Sequence, residues 1–204
     1  MIKKILLTNF LLFCVIFSSV AQKFELGLKG GGNFATQKLN TIQGIESVTG
    51  FHLGGFVYFK LPILFGIQAE AYYSQQGSQF SVNQIIKTNN LDYINIPVLI
   101  RNDFGPFNFH FGPQFGILTD ASVSFNNVKN NIKNQLTSRD FSLVAGIGLR
   151  LPARLGLTIR YVKGLKNISD PNILNTETKN TMFQFSIKYS LIKLGVKKKK
   201  KKKD

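Results

Sequence analysis

Between Phe24 and Tyr189 apolar and polar side chains alternate with a period of two, in segments of about ten residues, which sends them to opposite faces of β-strands. In the first segment, 24–35, Phe24, Leu26, Leu28 and Phe34 oppose Glu25, Lys29 and Asn33. The second, 50–61, sets Phe51, Leu53, Val57 and Phe59 against His52, Gly54, Tyr58 and Lys60. In the third, 64–76, Phe65, Ile67, Ala69, Ala71 and Tyr73 oppose Gln68, Glu70, Tyr72 and Ser74. The fourth, 91–101, turns Ile94, Ile96, Val98 and Ile100 away from Tyr93, Asn95 and Arg101, with Pro97 removing one ladder donor. The fifth is the most regular: Phe107, Phe109, Phe111, Phe115 and Ile117 on one face, Asn108, His110, Gly112, Gln114 and Gly116 on the other. Three further strands follow at 141–150, 155–161 and 183–189, the last two carrying Arg160 and Lys188 on their polar faces.

Connections alternate in length, short at 62–63, 102–106 and 152–154, long and polar at 36–49, 77–90, 119–138 and 165–180. Strands that cross lipid must pair on both sides, because lipid satisfies no backbone donor, and such barrels have short periplasmic turns and long external loops. The pattern predicts an all-β fold, an eight-stranded antiparallel up-and-down transmembrane β-barrel of the small OmpA/OmpX-like kind, with both ends of the barrel in the periplasm. A soluble barrel or sandwich would use the same alternation around an ordinary core. The aromatic apolar faces favour the membrane, as do Glu70, Gln114, Arg150, Arg160 and Lys188 on the other face.

The N-terminal segment 1–21 reads as a secretory signal peptide: Lys3-Lys4, an apolar run from Ile5 to Phe17, then Ser19 and Ala21 as the small residues before cleavage at Gln22. It predicts export by the general secretory route to the outer membrane of a Gram-negative bacterium. The barrel domain is then 22–192, and 193–204 is a basic tail. Cys14 is the chain's one cysteine, and Phe13 before it breaks a lipoprotein signal. The exported chain has no thiol, which excludes disulfides, thiolate metal sites and a cysteine nucleophile. The 19 Phe and 18 Gly, with no Trp, suit closely approaching strands.

Half of the formal charge of +16 comes from Lys3, Lys4 and the terminal run Lys197, Lys198, Lys199, Lys200, Lys201, Lys202, Lys203 with Asp204. Such a run is a solvated tail or an attractor of lipopolysaccharide and anionic lipid; export removes nucleic acid as a partner.

Four stretches, Phe24–Ala35 (FELGLKGGGNFA), Gly66–Gly77 (GIQAEAYYSQQG), Leu91–Leu99 (LDYINIPVL) and Arg160–Ile168 (RYVKGLKNI), resemble the PorT-like family of outer-membrane β-barrel proteins. The resemblance spans nearly the whole exported chain. It implies an outer-membrane barrel and, for the family's named member, a part in protein secretion. It transfers no functional residue.

Chemistry is sparse. The inward, mid-strand Lys29, Glu70 and Arg160, with Gln114, are placed for a polar network, either packing that fills the lumen or a polar relay; eight strands leave no wide pore. His52 lies towards the external rim and His110 towards the periplasmic one, too far apart to share a site. A rim enzyme would need His52 with Asp92 or Asp140. The Gly30-Gly31-Gly32 run lacks the helix and Lys-Ser/Thr of a phosphate loop and serves strand packing. The sequence predicts no catalytic residue, cofactor or metal. It points to a non-enzymatic barrel, binding through external loops or assisting assembly or secretion, with lipid, lipopolysaccharide and a protein as partners. A narrow pore, a rim enzyme and a soluble periplasmic ligand-binding barrel are the alternatives.

Overall fold

The computed structural model describes residues 23–39, 45–61, 65–82, 85–125, 128–169 and 177–195. The signal segment 1–21 and the lysine run 197–203 lie outside the described residues. The strands are β1 (Lys23–Leu39), β2 (Glu46–Lys60), β3 (Phe65–Val82), β4 (Ile85–Phe104), β5 (Phe107–Phe125), β6 (Val128–Asn131), β7 (Arg139–Arg150), β8 (Leu155–Gly164) and β9 (Thr178–Gly195).

Each strand pairs antiparallel with its neighbour in the chain, except that β5 passes over the short β6 to pair with β7, and β9 returns to β1. Eight strands thus close a ring, and β6 is a flap on the external end of β5. The closing seam runs from Lys23↔Gly195 to Leu39↔Thr178, shifted once between Leu26 and Gly27, where β9 carries Leu191 as an extra residue. Both strand ends of the seam lie at the end that carries the short turns.

The polarity is inverted relative to a water-soluble protein. Phe107, Phe109, Phe111 and Phe115 are each more than half exposed, and Ile100, Ile147, Ile159 and Ile187 share that outer belt. The buried set is dominated by Lys29, His52, Gln68, Glu70, Arg160 and Gln184. A belt of this extent is far larger than the few hundred Å² of apolar patch that a soluble monomer shows. Two small apolar clusters interrupt the polar lumen. Ala35, Leu99, Val144, Val162 and Met182 form one; Leu91, Tyr93, Leu118, Ala121 and Ile168 form the other, with Ile132 and Leu136 packed on it. The segment after β6 reaches this second cluster by Thr137 N–H donating to the Ile168 carbonyl at 2.7 Å, and so caps the external mouth.

The strands are longer than the alternation predicts, and the connections correspondingly shorter. The expected loop 77–90 is mostly ladder, with β3 running to Val82 and β4 starting at Ile85. The expected loop 119–138 holds the end of β5, β6 and a 3₁₀ turn, Lys133–Gln135. Beyond the lipid the outer face of a strand meets water, so Gln79, Thr88, Asn89 and Asn90 can be polar without interrupting the ladder, while Ser78 is buried and donates to Gln37. The alternation therefore stops where the membrane stops, while pairing continues into a β3–β4–β5–β6 ribbon. At the other end β9 continues to Gly195, past the expected barrel limit of 192.

Candidate functional site

The short turns hold one rim of the barrel in register. Phe104 and Phe107 are paired across Gly105-Pro106, with Gly105 at φ +57°, a conformation that glycine adopts freely. The turn from β7 to β8 places Ala153 and Arg154 at φ 55° and 63°, closed by Leu155 N–H donating to the Pro152 carbonyl at 3.2 Å. With that rim aligned, the odd-numbered inward residues of β1 meet the even-numbered inward residues of β3, β8 and β9.

Glu70 sits at the centre. Its carboxylate accepts two bonds from the Arg160 guanidinium, at 2.6 and 2.7 Å, and one from Lys29 Nζ at 2.8 Å. The Gln68 side-chain amide also donates to it, and Lys188 Nζ stands 3.6 Å away. Lys29 also donates to Gln184 Oε1 at 3.1 Å and lies 4.2 Å from the centre of the Tyr72 ring. Tyr72 donates its hydroxyl to Gln114 Oε1 at 2.7 Å. Lys29, Glu70 and Arg160 thus share one network, and Gln114 joins it through Tyr72. The bidentate Arg160 pairing is the geometry that offsets the desolvation of two buried ions.

The histidines are tied into this packing separately. Arg160 Nε donates to His110 Nε2 at 2.8 Å, which leaves the His110 Nδ1–H to donate to Asn108 Oδ1 at 3.1 Å. His52 Nδ1 meets Asn33 Oδ1 at 2.9 Å, and its Nε2 meets Ser186 Oγ at 2.8 Å. Neither Asp92 nor Asp140 bonds His52. Asp140 instead accepts from the Asn180 amide at 3.0 Å. The Ser186–His52–Asn33 chain has the order of a nucleophile, base and orienter. Its members are 4%, 1% and 0% exposed, so the three side chains are packed inside the wall. Sequence reading missed this chain, because Ser186 and His52 lie 134 residues apart and meet only through closure of β1 between β2 and β9.

At the short-turn rim Asp103 binds Arg101 at 2.9 Å and Arg150 at 2.8 Å, and Glu25 binds Lys23 at 2.7 Å. Arg101 lies over the Tyr58 ring, 4.3 Å from its centre, and donates to Gln68 Oε1 at 2.9 Å, which links the rim to the Glu70 layer. At the external end a polar cavity of about 230 Å³ opens among Thr49, Gln75, Asn90, Asp92, Asp120 and Lys129. It lies on the ribbon that the alternation did not reveal. Asp92 and Asp120 are directly paired across β4 and β5, which sets two like charges opposite each other.

The sequence pattern of the family described as outer membrane protein beta-barrel domain matches residues 20–170. No curated protein matches the sequence. The fold is similar to that of Neisserial surface protein A, with a TM-score of 0.58 at 11% identity over 81% of this chain and 97% of that one. It is also similar to Ail, the attachment invasion locus protein of Yersinia pestis, with a TM-score of 0.51 at 12% identity over 82% of this chain and 98% of that one. At such identities the likeness is one of fold.

Proposed function

Since the chain belongs to the outer membrane protein beta-barrel domain family, we propose that it is a non-enzymatic barrel of the Gram-negative outer membrane that works by binding at its external end. The observation that carries this reading is the lumen itself: Glu70, Lys29 and Arg160 cross it at mid-height, and the Ile168 cluster covers its external mouth. With the axis filled, what remains for contact is the β3–β4–β5–β6 ribbon and its polar cavity. Lipopolysaccharide head groups surround that ribbon, and a protein partner is the second kind of occupant.

Membrane fractionation combined with heat-modifiable gel migration tests the location; recovery of the chain as a soluble periplasmic protein would overturn it. Planar-bilayer recording tests the filled lumen, with no stable conductance steps expected from the purified barrel. The PorT-like resemblance of the strand segments adds a part in protein secretion. A deletion strain that secretes normally would remove that addition and leave the binding role standing.

A further inference from the structure

Cations outnumber carboxylates along the inner wall. Within 4 Å of Glu70 stand Lys29, Arg160 and Lys188, three cations for one carboxylate. Lys29 and Arg160 take the short contacts, and Lys188 Nζ is left at 3.6 Å without a hydrogen bond among the described residues. Below it, at the periplasmic ends of β7, β8 and β9, lies a small cavity of about 30 Å³. Lys188, Arg101, Arg150, Arg154 and Lys193 line it with the single carboxylate of Glu25, which Lys23 holds at 2.7 Å and Arg101 and Lys193 approach to 3.7 Å; Asp103 beside it takes Arg101 and Arg150, so Lys188 is the buried lining cation left short of a carboxylate.

The wall of this cavity is built rather than merely charged. Lys188, Arg101 and Thr158 are each at least nine-tenths buried, so their positive groups and hydroxyl are held out of bulk water. Thr158 Oγ1 is fully buried and has no hydrogen-bond partner. A buried hydroxyl without a partner and a buried ammonium short of an anion both destabilise the fold. One occupant removes both penalties: an anion that accepts from a hydroxyl, an ammonium and a guanidinium at once. A tetrahedral oxyanion has acceptors in several directions and matches the planar fork of arginine. A cavity of about 30 Å³ suits a small ion rather than a sugar ring.

We propose that the periplasmic mouth of the lumen binds a phosphate-class oxyanion between Lys188, Thr158 and Arg101. The ion completes the unbalanced inner wall and makes the barrel sensitive to phosphate on its periplasmic side. Its source is either free phosphate or the head group of a lipid in the inner leaflet, which share this chemistry.

The test is calorimetric titration of the full barrel, in uncharged detergent at fixed ionic strength, with inorganic phosphate and with dihexanoyl phosphatidic acid. A single saturable site is expected, weakened at least tenfold by Lys188→Met and by the isosteric Thr158→Val, and unchanged by Lys163→Met on the exposed outer face of β8. Saturation by inorganic phosphate assigns the free ion; saturation by the short-chain lipid alone assigns the head group. Heat-modifiable migration reports folding of each variant, and Thr158→Val carries the test if Lys188→Met does not fold. Heats that match those of chloride at equal ionic strength would overturn the proposal. Saturable binding that both variants leave intact would overturn it as well.

Discussion

Neutralising Glu70 leaves Arg160 and Lys29, both 1% exposed, facing dipoles in place of a carboxylate. Removing one partner of a buried ion pair costs about 3–5 kcal/mol, and here one carboxylate serves several donors. Glu70→Gln is therefore expected to lose that much stability, read as a lower denaturant midpoint for unfolding from phospholipid vesicles. The turn at Ala153 gives the opposite sign. A left-handed conformation costs a non-glycine residue about 1–2 kcal/mol, and Ala153 holds φ 55°. Ala153→Gly is expected to stabilise by up to about 1 kcal/mol in the same titration, after the extra chain entropy of glycine is subtracted. The side to which each residue points was legible in the sequence, since a period of two requires only local information. Partners were not: the pairing with Asp92 or Asp140 that a rim enzyme would need is not made, and His52 is bonded to Asn33 and Ser186, because the contact depends on registers across three strands.

Glycine at the seam shows what the strands demand of one another. A Cβ on Gly31 would collide with the Phe185 carbonyl across the β1–β9 pair, and one on Gly27 with the Tyr189 carbonyl. The glycine run of β1 thus permits close approach where the ring closes, which is the packing role that its sequence context suggested. Gly31→Ala is expected to force the seam apart and abolish the heat-modifiable band shift, without changing export of the chain. The extents of the elements were less legible than their number. Eight membrane-crossing strands follow from alternation, but alternation reports lipid rather than hydrogen bonding. The ladder continues through Gln79↔Thr88 and Asn89↔Val123, where the outer face meets water and the signal fades. The external cavity lies on this silent stretch, so it was invisible until the pairing was known.

For the molecule as a whole, the two ends differ in kind. One rim carries the turns at Gly105-Pro106 and Ala153-Arg154 and the ion pairs around Asp103, whereas the opposite end extends on one side as the β3–β6 ribbon. Trypsin applied to intact cells is accordingly expected to cut at Lys129 or Lys133, which lie outside the ring, and to spare Arg154 in the β7–β8 turn. Mass spectrometry of the released peptides checks this, and cleavage at Arg154 alone would invert the barrel in the membrane.

The outer belt of Phe107, Phe109, Phe111 and Phe115 bears on how such a chain reaches its destination. Most soluble proteins can finish folding in the compartment where they are made and travel as finished objects. A finished barrel of this polarity would present its oily side to the aqueous periplasm and precipitate, and an unfolded one would leave its backbone donors unsatisfied in lipid. Neither half-step is tolerable alone, so a chain with this belt has to acquire its shape and its address in a single act, on meeting the membrane.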